Sequence, residues 1–354
     1  MTSPIELVQP DTAGLHCPAG GFHIDPWRPV ECAVITHAHA DHFVAGCGKY
    51  ITSSEGLDIL RLRLGDDAVI EPLDYAVPRV FGKTVLTLHP AGHIRGSAQV
   101  SVEETGHVTV VTGDFKCERD PTCRPFEPLP CDTLFTESTF GLPIHRWPDP
   151  QSVIADIEAW WRANQEAGRA SVLFAYALGK AQRVLASLNS DIGPIYTHGA
   201  IEKLCAVYRS GGVALPETTL ATNLPRRTDW SQSLILAPPS AIASPWLKRF
   251  GRISTGLVSG WMRVRGIRRR RSIDRGFVLS DHADWPSLLQ TIQQSGAKQV
   301  RTTHGYSAVL ARYLRERGID AVAVETHFHG EADEDVASEA SDASSESEVA
   351  EGDA

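Results

Sequence analysis

The sequence predicts an α/β protein, and three observations carry that expectation. Short apolar runs punctuated by Gly and Pro fill the first part of the chain, the pattern of strands joined by tight loops. From Pro148 onward, longer helical periodicities alternate with short strands, as in an α/β unit. A length of 354 residues suggests two domains, or one large domain carrying an insertion.

Taking the elements in order, residues 33–35 (AVI) read as a buried strand that runs into THAHADH at 36–42. There His37, His39, Asp41 and His42 place four potential metal ligands within six positions. A helix would turn His37 and His39 to different faces, so these ligands converge only from a loop leaving the strand end. Three imidazoles and one carboxylate suit zinc, manganese or iron rather than a thiolate cage. A His-rich surface turn is the plain alternative.

Further strands are expected at 84–89, 99–103, 108–112 and 133–136, with His93 (AGHIRGSAQV), Asp114 (VVTGDF) and Glu137 (FTESTFG) just beyond strand ends. Helices are expected at 151–167 and 180–189, alternating with strands at 171–175 and 233–237. A basic stretch at 262–275 (MRVRGIRRRRSIDR) precedes a strand at 276–280 and then Asp281 and His282 in VLSDHADW. A helix follows Trp285, and a last strand and loop at 299–305 carry His304. No internal repeat suggests a solenoid.

Taken singly, a His or Asp past a strand ordinarily caps a turn. The repetition of one placement argues instead for convergence. Hydrolysing an unactivated ester or phosphodiester needs hydroxide at neutral pH and positive charge near the developing oxyanions, which two metals about 3.5–4 Å apart provide. Such a pair needs a bridging carboxylate, and Asp114 suits because Gly113 permits a tight approach.

Composition sets limits on the setting. The first twenty residues show neither a charged start nor an apolar stretch, and no later run is long enough to span a bilayer, which reads as a cytoplasmic protein without a membrane partner. Seven cysteines, at 17, 32, 47, 117, 123, 131 and 205, form no Cys-x-x-Cys pair and are expected to be reduced thiols. The net charge of -9 argues at face value against nucleic acid. Residues 331–354, however, hold ten acids and no base, and without them 34 bases stand against 33 acids, a net of +1. That tail has the composition of a disordered segment. It reads as a passive solubilising tail, with competition for a basic groove as the second reading.

The run HAHADH, then AGHIRGSA, then TGD resembles the metallo-β-lactamase superfamily, and the later TEST, SDHAD and THG motifs resemble its β-CASP nuclease branch. With IDPWRPV at 24–30, GLPIHRWP, GKAQR and GWMRVRGIRRRR, the stretch from about residue 15 to 330 is similar to the bacterial DNA-ligase-associated exonuclease family. The resemblance implies a four-layer αββα sandwich formed by residues 1–145 and 275–330, interrupted by an inserted α/β β-CASP domain at 146–274 and followed by the acidic tail at 331–354. It implies two divalent ions, zinc before manganese: His37, His39 and His93 on the first, Asp41, His42 and His304 on the second, and Asp114 bridging. Asp25 would support the ligand loop from behind. Asp41, Glu137 and His282 are the expected catalytic acids and bases, with His282 near the scissile phosphate as general acid or orienter. The implied activity is a DNA exonuclease in repair leaving a 5′-phosphate, acting on single strands or duplex ends beside a DNA ligase or other repair proteins.

Two further readings remain open at this level. An RNA-processing nuclease has its own argument, because a histidine at the last motif goes with RNA in the eukaryotic branch, and His304 fits that pattern. A non-catalytic nucleic-acid-binding subunit would be expected to lack ligands, whereas every position here is filled. The tripeptide THG also occurs at 197–199, so His198 competes with His304, which is preferred because it follows SDHAD. For substrate contacts, Arg263, Arg265, Arg268, Arg269 and Arg270 could track phosphates, and Lys180 with Arg183 could meet one at a helix start. Each group has a plain alternative, a solvated charged face or a simple helix start. Trp147, Trp261 and Trp285 are candidates for base stacking, though tryptophans more often anchor cores. His327 and His329 read as surface residues.

Overall fold

In the computed structural model, residues 6–225, 227–264 and 273–326 are described. Three short strands open them, β1 (Gln9–Pro10), β2 (Leu15–Cys17) and β3 (Phe22–Ile24), each antiparallel to the next. Then β4 (Cys32–Val34), β5 (Lys49–Ser53) and β6 (Ile70–Leu73) add in parallel, with helix α1 (Leu57–Leu64) as the crossover between the last two. A second sheet starts with the antiparallel run β7 (Arg79–Phe81), β8 (Thr84–Pro90), β9 (Ala98–Glu104) and β10 (His107–Val111), to which β11 (Thr133–Glu137) adds in parallel.

Beyond β11 the chain forms helix α2 (Pro150–Glu166), β12 (Ala170–Phe174), α3 (Lys180–Ser187), β13 (Ile195–Thr197), α4 (Gly199–Ser210), β14 (Thr219–Leu220), β15 (Leu234–Ala237), β16 (Ile253–Val258) and β17 (Arg275–Phe277). Helix α5 (Trp285–Ser295), β18 (Gln299–Thr303), α6 (Ser307–Arg315) and β19 (Asp320–Ala323) then complete the second sheet in the order β19-β18-β11-β10-β9-β8-β7.

The described residues divide into two units, 6–147 with Val207–Val213 and 280–326, and Pro148–Ala206 with Ala214–Leu279. In the first, alternation of side chains along the strands sorts the core into layers. Val111 and Phe135 join Leu86, Leu88, Val100 and Val102 in one apolar cluster with Leu15, Phe22, Ile24, Val34 and Ile51 of the other sheet. Their neighbours Val110 and Leu134 face the opposite way, onto Ile292 of α5 and Leu310 and Leu314 of α6. Two sheets therefore share a core, with α5 and α6 outside the second and α1 against β6 of the first, the αββα order expected above.

The second unit is an all-parallel sheet in the order β14-β13-β15-β12-β16-β17. Parallel strands are covered on both faces: Leu173, Leu234 and Leu236 pack on α2 and α3, while Val172, Phe174 and Ile235 pack on Trp230, Phe250 and Met262. Residues 275–277 pair with β16 as the last strand of this sheet, and the second unit runs to Leu279. Among the described residues every cysteine is a free thiol, and no helix is long and apolar enough to cross a membrane. The acidic tail lies outside the described residues.

Candidate metal centre

Six strand ends of the first unit, five of them through the loops that follow, bring their side chains together. Asp25 follows β3, residues 37–42 follow β4, His93 follows β8, Asp114 follows β10, Glu137 closes β11 and His304 follows β18. The loops must crowd to meet. At Gly113, with φ at 55°, a Cβ would stand 2.7 Å from the Cβ of Thr36, so only glycine lets the Asp114 loop approach the histidine loop this closely.

His37 Nε2 and His93 Nε2 lie 3.0 and 3.1 Å from His39 Nδ1. Asp114 Oδ2 stands 3.6 Å from His37 Nε2, 4.0 Å from His93 Nε2 and 3.2 Å from His42 Nε2. One carboxylate oxygen thus faces both the group formed with His37, His39 and His93 and the group formed with His42 and His304. The His304 ring stacks on that of His42 at 5.2 Å. Asp41 Oδ2 is 3.8 Å from His42 Nε2.

Hydrogen bonds on the far side of the rings set which nitrogen carries the lone pair. His93 Nδ1–H donates to the Asp281 carbonyl at 2.7 Å, and His42 Nδ1–H to Asp25 Oδ2 at 2.8 Å. Asp25 also accepts the Thr36 amide at 2.7 Å and the Thr36 hydroxyl at 2.6 Å. Because that hydroxyl donates to Asp25, it accepts from His37 Nδ1 at 3.1 Å. Asp25 therefore orders two imidazoles without touching the centre, and its φ of 44° is one of five positive values at non-glycine positions among the described residues. His304, at 56°, is another.

The electrostatics follow from burial. Burial, helped by neighbouring imidazoles, pushes His37 and His93 well below the ordinary histidine range, and burial takes His304 down to about 3. Burial also acts to lower His42, but Asp114, Asp41 and Asp25 around it outweigh that and raise it well above its usual value. Burial would raise Asp114, yet the charges of His42 and His282 hold it well below the carboxylate range.

The donor set fits divalent metal. Asp114 Oδ1 is buried without a hydrogen-bond partner, and three imidazole nitrogens face one point at spacings close to the roughly 3.3 Å edge of a zinc tetrahedron. Imidazole with carboxylate suits zinc, with manganese as a second choice.

Beside these groups stands an acid–base pair. His282 Nδ1 donates to Glu137 Oε2 at 2.9 Å, and Glu137 Oε1 accepts the Phe115 amide at 2.7 Å. Burial raises the Glu137 carboxyl above its ordinary value, and His282 partly offsets this. The indole of Trp147 donates to the His282 carbonyl at 2.9 Å, so this tryptophan anchors the His282 loop.

Sequence reasoning missed Lys116, which is fully buried. Its ammonium pairs with Asp120 at 2.6 Å and Asp281 at 3.6 Å, and donates to the His93 carbonyl at 3.3 Å. It ties together the two segments that make the His93–Asp281 hydrogen bond. Only its place directly after GDF marks it in the sequence.

Other expected residues are placed elsewhere. His198 lies in the second unit, where its Nδ1 accepts the Ala200 amide at 3.2 Å and its ring meets Trp246 edge-on. Lys180 and Arg183 open helix α3 but are buried, the Lys180 ammonium lying 4.5 Å from the Tyr176 ring centre. Arg263 is exposed, while Arg265, Arg268, Arg269, Arg270, His327 and His329 lie outside the described residues. Trp285 is a core anchor packed edge-on to Tyr313, and Trp261 packs against the Val172 and Phe174 face.

No family model matches the chain. It is 33% identical over 322 residues to the "Probable DNA ligase" of Opitutus terrae, a match covering 88% of this chain and 30% of that protein. It is 26% identical over 217 residues to the "RNase J-like protein" of Methanocaldococcus jannaschii, covering 52% and 51%. The chain thus spans about a third and a half of the length of these two relatives. Among solved structures, a protein of unknown function from Enterococcus faecalis V583 aligns with a TM-score of 0.55 at 13% identity, over 83% of this chain and 78% of that one, a likeness of fold alone.

Proposed function

Because the chain belongs to the β-CASP branch of the metallo-β-lactamase superfamily, we propose that it is a metal-dependent DNA exonuclease that hydrolyses phosphodiester bonds beside a DNA ligase. The observation that carries the reading is the single Asp114 oxygen facing two imidazole groups, with the His282–Glu137 pair alongside, His282 Nδ1 lying 3.9 Å from that oxygen. The name of the Opitutus relative supports DNA: its match takes in most of this chain but under a third of that protein.

When bound, two divalent ions supply Lewis-acid charge to the phosphoryl oxygens and acidify the attacking water. His37, His39 and His93 would hold one, His42, His304 and Asp41 the other, and Asp114 both. Glu137 holds the His282 Nδ1 proton and steadies the imidazolium, so His282 passes a proton from its other nitrogen to the departing sugar oxygen. Buried imidazoles kept neutral stay available as donors. Arg263 and the arginines that follow it would meet the phosphate backbone. We place the protein in the cytoplasm, in keeping with its free thiols.

A second reading, RNA processing, is favoured by the placement of His304 with His42 and Asp114, since a histidine there goes with RNA in the eukaryotic branch, and by the name of the Methanocaldococcus relative. Matched single-stranded DNA and RNA, labelled at either end, are incubated with zinc or manganese beside His37→Ala and Asp114→Asn controls. DNA shortened stepwise by the wild type and untouched by both variants is the expected result. Degradation of RNA but not DNA overturns the first reading.

A further inference from the structure

Apart from the Asp114 site, Asp11, His16 and His23 bring three more metal-donor atoms within 4.8 Å of one another. The β2–β3 pairing sets His16 directly opposite His23, and opposed residues of an antiparallel pair project from the same face. Their rings lie parallel, centroids 4.2 Å apart with 6° between planes. Asp11 reaches them from the turn after β1, where its Oδ1 accepts the amides of Ala13 at 2.7 Å and Gly14 at 3.0 Å. Trp27 clamps that turn, its amide donating to the Ala13 carbonyl at 2.9 Å and its indole to that of Thr12 at 3.0 Å. With Oδ1 occupied, Oδ2 is aimed at the rings, 3.0 Å from His23 Nε2 and 3.4 Å from His16 Nδ1.

Two donors held about 2.0–2.1 Å from a tetrahedral zinc ion stand about 3.3 Å apart. The observed spacings bracket that value, so the carboxylate already stands at ligand distance, while the parallel rings must tilt toward one another for both in-plane lone pairs to meet one ion. We propose that Asp11, His16 and His23 form a third metal site, independent of the Asp114 centre, for a borderline divalent ion such as zinc. Two imidazoles and a carboxylate are a zinc donor set that leaves one position to water. All three side chains are partly exposed, which gives an ion access.

The competing account is a plain hydrogen-bonded trio, and the His23 contact alone is compatible with it. The His16 contact at 3.4 Å is long for a charge-assisted hydrogen bond, so this nitrogen stands beside the carboxylate without being held by one. Burial and the neighbouring His23 also keep His16 below its ordinary value, so its ring offers a lone pair near neutrality. Asp11 further lines a cavity of about 500 Å³ with Trp27, His304, Ser307 and Glu325. An ion on Asp11 brings positive charge to a wall that otherwise carries two acids.

To test this, the full chain is equilibrated with excess zinc, freed of unbound ion, and its zinc counted by elemental analysis. Beside it stand a His16→Gln/His23→Gln double variant and Asp11→Asn, which retains an oxygen for the Ala13 and Gly14 amides. The expected result is one zinc equivalent fewer in each variant than in the wild type. The same difference persists in an Asp114→Asn background, whatever that substitution does to the other centre, so failure of the proposed nuclease site is not mistaken for failure of this one. Equal zinc in the wild type and in either variant, with unchanged circular dichroism, overturns the proposal. If the double variant does not fold, Asp11→Asn decides.

Discussion

Asp25 and Lys116 hold the candidate metal-binding side chains without belonging to them, and their chemistry makes the consequences of losing them different. Asp25 fixes His42 and, through Thr36, His37. Its replacement by Ala is expected to weaken zinc binding by about 10–100-fold, as for other partners behind metal ligands, in a competition titration against a chromophoric chelator. Lys116→Met instead leaves Asp120 and Asp281 buried without their cation. Breaking one side of a buried ion pair costs about 3–5 kcal/mol, to be read as a lowered urea midpoint, and an unchanged midpoint would refute the clamp. The histidines set a pH dependence in chelator-treated protein. His37 and His93 are held well below 6.5 and His304 at about 3, so the unfolded chain binds more protons than the fold once pH drops below roughly 6.5. His42 opposes them: raised above its usual value, it stabilises most below 6.5, a contribution lost as pH rises through its folded value. Three depressed rings against one raised give a net loss of stability between pH 7 and 5. A midpoint at pH 5.5 at or above that at pH 7.5 would contradict this balance.

At the level of elements, the strands do little more than end in the right places; the turns beyond them do the assembling. Gly113 illustrates the demand. An alanine there meets both a left-handed φ of 55° and the Thr36 side chain at 2.7 Å, and Gly113→Ala is expected to cost about 2–5 kcal/mol together with zinc affinity. Gly106, with φ at 81° and nothing within 4 Å of an added Cβ, is the matched control, expected to lose only about 1–2 kcal/mol and no zinc. The close approach at Gly113 was legible in the sequence because TGD follows a clear strand. So were β8, β9, β10 and β11, which stand out as short apolar runs bounded by turn residues. Strands of two or three residues, such as β1, β7 and β14, were not, because so few residues show no period. The placement of residues 275–277 was equally hidden: a three-residue strand carries no mark of which sheet it will join.

For the whole molecule, the sequence named the residues around Asp114 and Asp25 behind them, but not the bonds that orient His93. His37, His39, His42, His93 and His304 stand out as residue types past strand ends. The carbonyl of Asp281 and the ammonium of Lys116 have no such signature, since any residue supplies a carbonyl and a buried lysine looks like an exposed one. Burial also separates Lys180 and Arg183 from Arg263, which composition treats alike. Metal removal is expected to act unevenly on the two units. Hydrogen exchange should quicken in amides around residues 36–42 and 113–115 on chelation, while β12, β15 and β16, whose unit contributes none of the grouped ligands among the described residues, keep their protection. Uniform quickening of both would count against a metal confined to the first unit. The His93–Asp281 hydrogen bond also has a meaning in time, because its partners stand 188 residues apart. At a synthesis rate of roughly 5–20 residues per second, His93 leaves the ribosome roughly 10–40 s before the carbonyl that orients it. A nascent chain therefore carries the histidine loop before the carbonyl that orients His93 exists, and the bond forms only once the segment at 281 has followed.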